Sequence, residues 1–395
     1  MGYRQSSVVI DKNRGGAYGE VVSQIRKTGP ISFEEFMDIA LYSGNGYYSK
    51  PASFGVYGDY YTSPSLHPFF GYLFAIQIMN IWEYMDRPNP FTIVEIGAGD
   101  GTLAIDIVST IRAANIDFSN CLQYIPIDRA TRRGCVAGAE IVPADLLDLY
   151  ISDSTSCVVL SNELIDALPV DIFEVRDGRT KVVVIDVDKQ GNLKEELIET
   201  TIDEFYDLDI SSLEGYRGPL CRDLGQWIPT VLDLVPKAFF INIDYGYEES
   251  DYLSMGKSNR LLQTYYRHVD NLSPLLRVGD QDITAHVNFT ALRRAFAQRG
   301  INSIGNITQR EWLFGLGYSD VIEDLRLSEG LSRREISLID RLVEVEGLGG
   351  FRVEISQRGI DGAEISKLNN LTNLSRYFSA VPPVTDKHMA FHLNR

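Results

Sequence analysis

The run Phe91-Thr92-Ile93-Val94-Glu95-Ile96-Gly97-Ala98-Gly99-Asp100-Gly101-Thr102-Leu103 sets three alternating glycines between two regular elements. Residues 91–96 are short and apolar, as in a buried strand. Residues 102–114 put Leu103, Ile107, Val108 and Ile111 on one face, as in an amphipathic helix. Between them, Gly97, Gly99 and Gly101 let the backbone turn tightly and let a ligand approach, at the edge where open α/β sheets bind ligands. A tight turn with no ligand is disfavoured by three glycines and a preceding acid, Glu95, in this context. A dinucleotide fingerprint, G-x-G-x-x-G, would carry its third glycine at position 102, which is Thr102. That spacing argues against a nicotinamide-dependent oxidoreductase.

Working outward, residues 122–127 read as a second strand ending at Asp128, 141–142 as a weaker one closed by Asp145, and 157–161 as another running into Asn162-Glu163. Residues 238–243 form a fifth, ending at Asp244-Tyr245-Gly246. Strands alternating with helices predict an α/β fold, a mainly parallel sheet covered on both faces. Residues 170–175 and 181–187 read as additional strands, 194–234 as an acidic helical insertion, and 352–355 as a late strand. The expected organisation is an N-terminal helical region over 1–90, an α/β domain over 91–358 with an insertion at about 190–235, and a tail over 359–395.

In the N-terminal region Ser32 and Glu35 have capping-box spacing, ahead of Phe33, Phe36, Met37, Ala40 and Leu41 on one helical face. Residues 44–48 and 54–64, rich in Gly, Tyr, Ser and Pro, read as a long loop, and such loops are often functional. Residues 69–82 contain Gln77 and Asn80, are too short to span a bilayer, and read as a buried helix.

The chain has 395 residues with a net charge of −17, from 54 acidic and 37 basic side chains. A sequence-independent nucleic-acid binder needs the opposite balance. Cys121, Cys135, Cys157 and Cys221 have no C-x-x-C spacing and no histidine cluster, so no metal site is expected and the thiols fit a reducing compartment. Residues 1–18 hold only the short apolar run Val8-Val9-Ile10, too little for a signal peptide. A cytoplasmic protein without membrane or nucleic-acid partners is expected.

Several polar residues fall at the carboxyl ends of the expected strands. Asp128 either takes the two hydroxyls of a ribose or caps a helix before Ala130. Asp145 either meets an adenine amino group or caps a helix before Leu146. Asn162 and Glu163 face the same crevice by topology. Asp282-Ile283-Thr284-Ala285-His286-Val287-Asn288-Phe289 alternates strictly. It is either a half-solvated strand with Asp282, Thr284, His286 and Asn288 on one face, or the start of a helix capped by Asn288.

The E-x-G-x-G-x-G run resembles motif I of Rossmann-like methyltransferases, whose cofactor has no pyrophosphate to bind. From about Gly29 to Glu354 the chain resembles the MidA family of S-adenosylmethionine-dependent methyltransferases. The resemblance is carried by Gly29-Pro30-Ile31-Ser32-Phe33, Gly46-Tyr47-Tyr48, Gly58-Asp59, Thr62-Ser63-Pro64, residues 95–103, Asn162 to Val170, Asp244-Tyr245-Gly246, Tyr265-Tyr266-Arg267-His268 and residues 282–289. It implies a Rossmann-like class I methyltransferase sheet with an N-terminal lid and an inserted substrate-side subdomain. It implies S-adenosylmethionine as cofactor, with Gly58, Thr62 and Ser63 near it beside Glu95, Gly97, Gly99, Gly101, Asp128, Asp145 and Asn162. It also implies that Asn162, Glu163 and Asp166 line the site and that the 282–288 row belongs to it. The chain departs from the family pattern at Ser65, where relatives carry an acid, at Leu164-Ile165, where they carry two aromatics, and at Asn288, where Asp is common.

The resemblance further implies a protein arginine as acceptor. A guanidinium is protonated at neutral pH and must be held while it loses a proton. Glu163, Asp166 and Asp282 are the candidates to hold it and His286 to relay the proton. The alternatives are a small-molecule O- or N-methyltransferase using His286 as general base, and a non-catalytic assembly protein that keeps the cofactor fold. The insertion serves as a homodimer arm, a substrate-docking surface or a lid, and the sequence ranks none above the others.

Overall fold

The computed structural model describes residues 15–50, 61–129, 135–136, 139–140, 156–200, 213–221, 224–257, 260–266, 269–271, 273–328, 331–368 and 381–392. At its centre is a six-stranded mixed sheet built from β1 (Phe91–Ile96), β2 (Leu122–Ile127), β3 (Ser156–Asn162), β4 (Lys237–Asp244), β5 (Asn302–Thr308) and β6 (Arg352–Arg358). The order across it is β5-β6-β4-β3-β1-β2. β4, β3, β1 and β2 are parallel, with Val94 beside Val159 and Ile125. β6 runs antiparallel to β4, and β5 antiparallel to β6. The expected strands at 91–96, 122–127, 157–161, 238–243 and 352–355 are all present. β5 is not apparent in the sequence, because a register shift between Ser303 and Gly305 breaks its alternation. The expected strand at 141–142 lies outside the described residues.

Alternation along β1 splits the core in two. Ile93 joins Val158, Leu160 and Ile241 under the helices Phe69–Tyr84 and Thr102–Ala114. Val94 and Ile96 join Val159, Phe240, Leu292 and Phe296 on the other face, beneath the helix Phe289–Gln298. The helix Phe69–Tyr84 is buried almost all round, and its Gln77 is satisfied inside the core. Gln77 Oε1 accepts from Trp312 Nε1 at 2.9 Å, and its amide donates to the Leu368 carbonyl at 3.3 Å.

A second, five-stranded sheet combines Ile31–Ser32, Asp171–Arg176, Arg179–Val187, Leu193–Glu199 and Arg217–Leu220. Its tight hairpin has both Asp177 and Gly178 left-handed, with φ of 57° and 65°, as a two-residue turn demands. The expectation of a helical insertion over 194–234 is corrected here. Leu193–Glu199 is a strand paired along Arg179–Val187, because cross-strand pairing and the Arg179–Glu199 and Arg217–Glu195 ion pairs override the helix-favouring Lys-Glu composition. The helix Phe33–Tyr42 packs its apolar face on this sheet through Phe33, Phe36 and Met37. Only half of the expected capping box forms. Ser32 Oγ accepts from Glu35 N–H at 3.0 Å, while the Glu35 carboxylate takes the Gln24 amide at 2.7 Å. The segment expected as a tail contributes Leu368 and Ala390 to the main core.

Candidate active site

The glycine loop leaves β1 in three left-handed steps. Gly97, Gly99 and Gly101 have φ of 77°, 55° and 78°, a region that costs residues with a Cβ roughly 1–2 kcal/mol each. Gly97 also lies flush on a neighbour, since a Cβ there would fall 2.8 Å from Leu164 Cδ1. The amides of Gly97 and Ala98 donate to the Ile127 carbonyl at 2.9 and 3.0 Å. The Gly99 amide donates to Asp128 Oδ2 at 2.7 Å. Asp100 Oδ1 then accepts from the amide and hydroxyl of Thr102, opening the following helix. The loop is thus pinned to the end of β2, where Asp128 stands.

Glu95 sits beneath the loop, inside the sheet. It accepts the Tyr124 hydroxyl at 2.8 Å across the β1–β2 pair, and burial pushes its carboxyl up to about 8. Tyr124 was not among the candidates. The only signal for it is a phenol beside Gln123 in a strand whose other residues are apolar.

Beyond the end of β3 the chain turns sharply at Glu163, whose φ of 52° is left-handed for a residue with a side chain. Glu163 Oε1 accepts from Ser63 N–H at 3.1 Å and Asn162 Nδ2 at 3.0 Å. Burial, then the charge of Asp166, pushes its carboxyl up to about 8. Asp166 is buried, accepts from the Tyr245 hydroxyl, and is raised by burial to about 6. Asp244, the last residue of β4, holds this turn. Its Oδ2 accepts from the amides of Ile165 and Asp166 at 2.8 and 3.1 Å, and its Oδ1 from Tyr245 N–H at 2.9 Å.

The 282–289 stretch is strand first and helix cap second. Asp282–Ala285 and Val287–Asn288 are strands, and Asn288 caps the helix that follows by accepting from Ala291 N–H at 2.9 Å. The half-solvated expectation is corrected: Asp282, Thr284 and Asn288 are all buried, while Ile283 and Ala285 on the opposite face pack with the second sheet and the N-terminal helices. Asp282 Oδ1 accepts from the Tyr48 hydroxyl at 3.0 Å. The Tyr48 ring lies 5.4 Å from Tyr42, whose hydroxyl donates to the Ala167 carbonyl at 2.8 Å and whose face carries the Arg129 guanidinium. His286 stacks on Tyr247 and meets the edge of Tyr245. Its Nδ1 faces the Leu261 carbonyl at 3.3 Å, which assigns the proton to that nitrogen, and burial lowers its ionisation to about 4.

The structure therefore gathers Ser63, Asn162, Glu163, Asp166 and Asp244 at one sheet edge, with Gly97 against Leu164 of the same turn. Asp282 joins them through Tyr48, Tyr42 and Ala167, and His286 through Tyr245. Thr62 and Ser65 close a capping box of their own, so Ser65 serves the turn that presents Ser63 to Glu163. Gly58 and Asp145 lie outside the described residues. Tyr42, Tyr48 and Tyr245 enter the site by geometry. Their only sequence signal is their place in quoted motifs or beside them.

Residues 73–307, more than half of the chain, match the model of the family described as "Putative S-adenosyl-L-methionine-dependent methyltransferase". Among curated relatives, "Protein arginine methyltransferase NDUFAF7 homolog, mitochondrial" of Drosophila melanogaster is 26% identical over 331 residues, covering 77% of this chain and 76% of its own. The human "Protein arginine methyltransferase NDUFAF7, mitochondrial" is 26% identical over 329 residues, covering 74% and 71%. A crystal structure of a Burkholderia thailandensis protein bound to S-adenosyl-homocysteine superposes with a TM-score of 0.73, at 24% identity, over 89% of this chain and 94% of that one. The glycine loop and the fold it belongs to define an S-adenosylmethionine-dependent methyltransferase. The chain belongs to this family, whose MidA motifs it carries.

The residues present fit that cofactor. Three left-handed glycines at the end of β1 stand beside the Asp128 carboxylate at the end of β2, which accepts from Gly99 N–H, and Asn162 ends β3 on the other side of β1, the strand ends where open α/β sheets bind such ligands.

Proposed function

We propose that the protein transfers the methyl group to an arginine side chain of a protein acceptor. The observation that carries this reading is the convergence of carboxyl groups, Asp166 and Asp244 buried and Glu163 half-buried. Glu163, Asp166 and Asp244 crowd one turn, and among the described residues no lysine or arginine forms an ion pair with them. Burial and mutual repulsion hold their ionisation up, so the cluster is primed for a cation. A guanidinium entering it would favour the charged form of Glu163 and displace its proton. Bound S-adenosylmethionine supplies an already activated methyl group, so the protein's share is to hold and orient the acceptor and to receive its proton. Glu163 and Asp166 hold the guanidinium, Tyr245 orients Asp166, and Asp282, fixed by Tyr48, is the third carboxylate of the set. The curated relatives named as arginine methyltransferases support the same reading.

The second reading is a small-molecule acceptor bearing a hydroxyl or amine. It is favoured by His286, which is neutral above about pH 4 and has Nε2 as an acceptor.

The test is to incubate the protein and its Asp166→Asn variant with S-adenosylmethionine labelled in the methyl group and lysate from source cells lacking the gene. Mass spectrometry then locates the label. Methylarginine made by the native protein and lost in the variant supports the proposal. Label confined to small molecules removes it.

A further inference from the structure

We infer that Lys387 is a positioning residue for the cofactor loop, acting from the far end of the chain. Its ammonium donates to the Asp100 carbonyl inside the glycine loop and lies 3.8 Å from the Asp100 carboxylate. The next residue, His388, is buried and meets Asp106 of the helix leaving that loop, Nε2 to Oδ2 at 3.0 Å. The tautomer is set locally. His388 Nδ1 accepts from Thr385 N–H at 3.0 Å, so its proton sits on Nε2 and is donated to Asp106. Asp106 is itself boxed in, because a Cβ at Gly71 would fall 2.4 Å from its Cβ. The helix of residues 69–84 thus packs directly on the residue that His388 grips. Ala390, fully buried, anchors the segment in the main core. The helix Met389–His392 also contacts the helix Ser63–Leu66, the turn that presents Ser63 to Glu163.

One short segment, 282 residues beyond Asp106, therefore touches the loop, the helix it opens and the turn beside Glu163. The contacts toward β2 hold the amides of Gly97, Ala98 and Gly99, and within the loop Asp100 Oδ1 takes the amide and hydroxyl of Thr102. Lys387 alone, among the described contacts, holds the Asp100 carbonyl; Gly101 N–H of the same peptide donates to the Ala98 carbonyl at 2.8 Å, so the two contacts together fix the plane of the Asp100–Gly101 peptide. His388 and Ala390 keep Lys387 in place. A charge-assisted bond to a backbone carbonyl suits this work, since it orients the peptide without occupying the face that the glycines leave open.

The test is calorimetric titration of the full chain with S-adenosylmethionine and with S-adenosylhomocysteine, for the native protein, Lys387→Met and Lys387→Arg. The Kd for both ligands rises about tenfold in Lys387→Met, the loss of one charge-assisted bond, and stays within about twofold in Lys387→Arg, which restores a donor. Amide hydrogen exchange on the ligand-free proteins is the second readout. Exchange at Gly99 and Gly101 quickens about fivefold in Lys387→Met while the central strands keep their protection. Unchanged Kd and exchange in Lys387→Met would overturn the assignment. So would weakening in Lys387→Arg as large as in Lys387→Met, since restoring a donor would then restore nothing.

Discussion

Asp244 Oδ2 accepts the backbone N–H of Asp166 at 3.1 Å, so the last carboxylate of β4 dictates where the turn after β3 presents its own carboxylate. The same oxygen takes Ile165 N–H and the second oxygen takes Tyr245 N–H, three donors on one fully buried group. Asparagine cannot replace it, because one of its two ends is a donor and would face an N–H. Asp244→Asn is expected to cost about 2–3 kcal/mol of stability, the penalty for leaving buried donors without an acceptor. Urea denaturation measures this, and a change below about 0.5 kcal/mol would refute the assigned role, being no more than an ordinary surface substitution costs.

Glu163 gives a pH signature. Burial and Asp166 raise its ionisation from 4.5 to about 8 in the folded protein. The fold therefore favours the neutral form. Its contribution to stability is fully present below pH 4.5 and is lost as pH rises through 8. Glu163→Gln cannot ionise and keeps an oxygen for Ser63 N–H and Asn162 Nδ2. Native protein and variant are expected to melt together near pH 5. Toward pH 9 the native protein melts progressively lower than the variant. Parallel melting curves across that range would contradict the raised ionisation.

Much of this architecture is legible before any coordinate is known, for a physical reason. β1, β2 and the helix between them bury one face or both with apolar residues, and burial imprints a period of two or 3.6 on the sequence. The three glycines are equally legible, because left-handed backbone admits few other residues. The strand at Leu193–Glu199 is not, since its Lys-Glu run has helix propensity and its strand state depends on partners elsewhere in the chain. The site follows the same rule. Glu163 and Asp166 lie in one motif and are visible together, whereas Tyr124, Tyr42 and Lys387 reach their partners across 29, 125 and 287 positions. No local pattern records such contacts.

Gly97 carries two constraints that separate experimentally. Its φ of 77° disfavours any side chain, and a Cβ would meet Leu164 Cδ1 at 2.8 Å. Gly97→Ala is expected to lose about 1–2 kcal/mol from strain alone and to weaken S-adenosylmethionine binding through the displaced loop. Adding Leu164→Ala removes the steric part and leaves the backbone part. The double variant should therefore recover some of the lost affinity. If it recovers none, the Leu164 contact plays no role in setting the loop.

Tyr42 tests whether the N-terminal helices serve acceptor chemistry rather than cofactor binding. Its hydroxyl donates to the Ala167 carbonyl at 2.8 Å, one residue past Asp166, and its ring packs between Tyr48 and the Arg129 guanidinium. Phenylalanine keeps the ring and removes only the donor. The Ala167 carbonyl then loses a partner, a loss of about 1 kcal/mol, which for a chain of this size lowers Tm by only about 1–2 °C. The glycine loop makes no contact with that hydroxyl, so Tyr42→Phe should leave the Kd for S-adenosylmethionine within about twofold, the scatter of one weak interaction. The change should appear instead in transfer to the acceptor, as a fall in kcat/KM at saturating cofactor. A variant with weakened cofactor binding and undiminished transfer would place Tyr42 on the wrong half of the site.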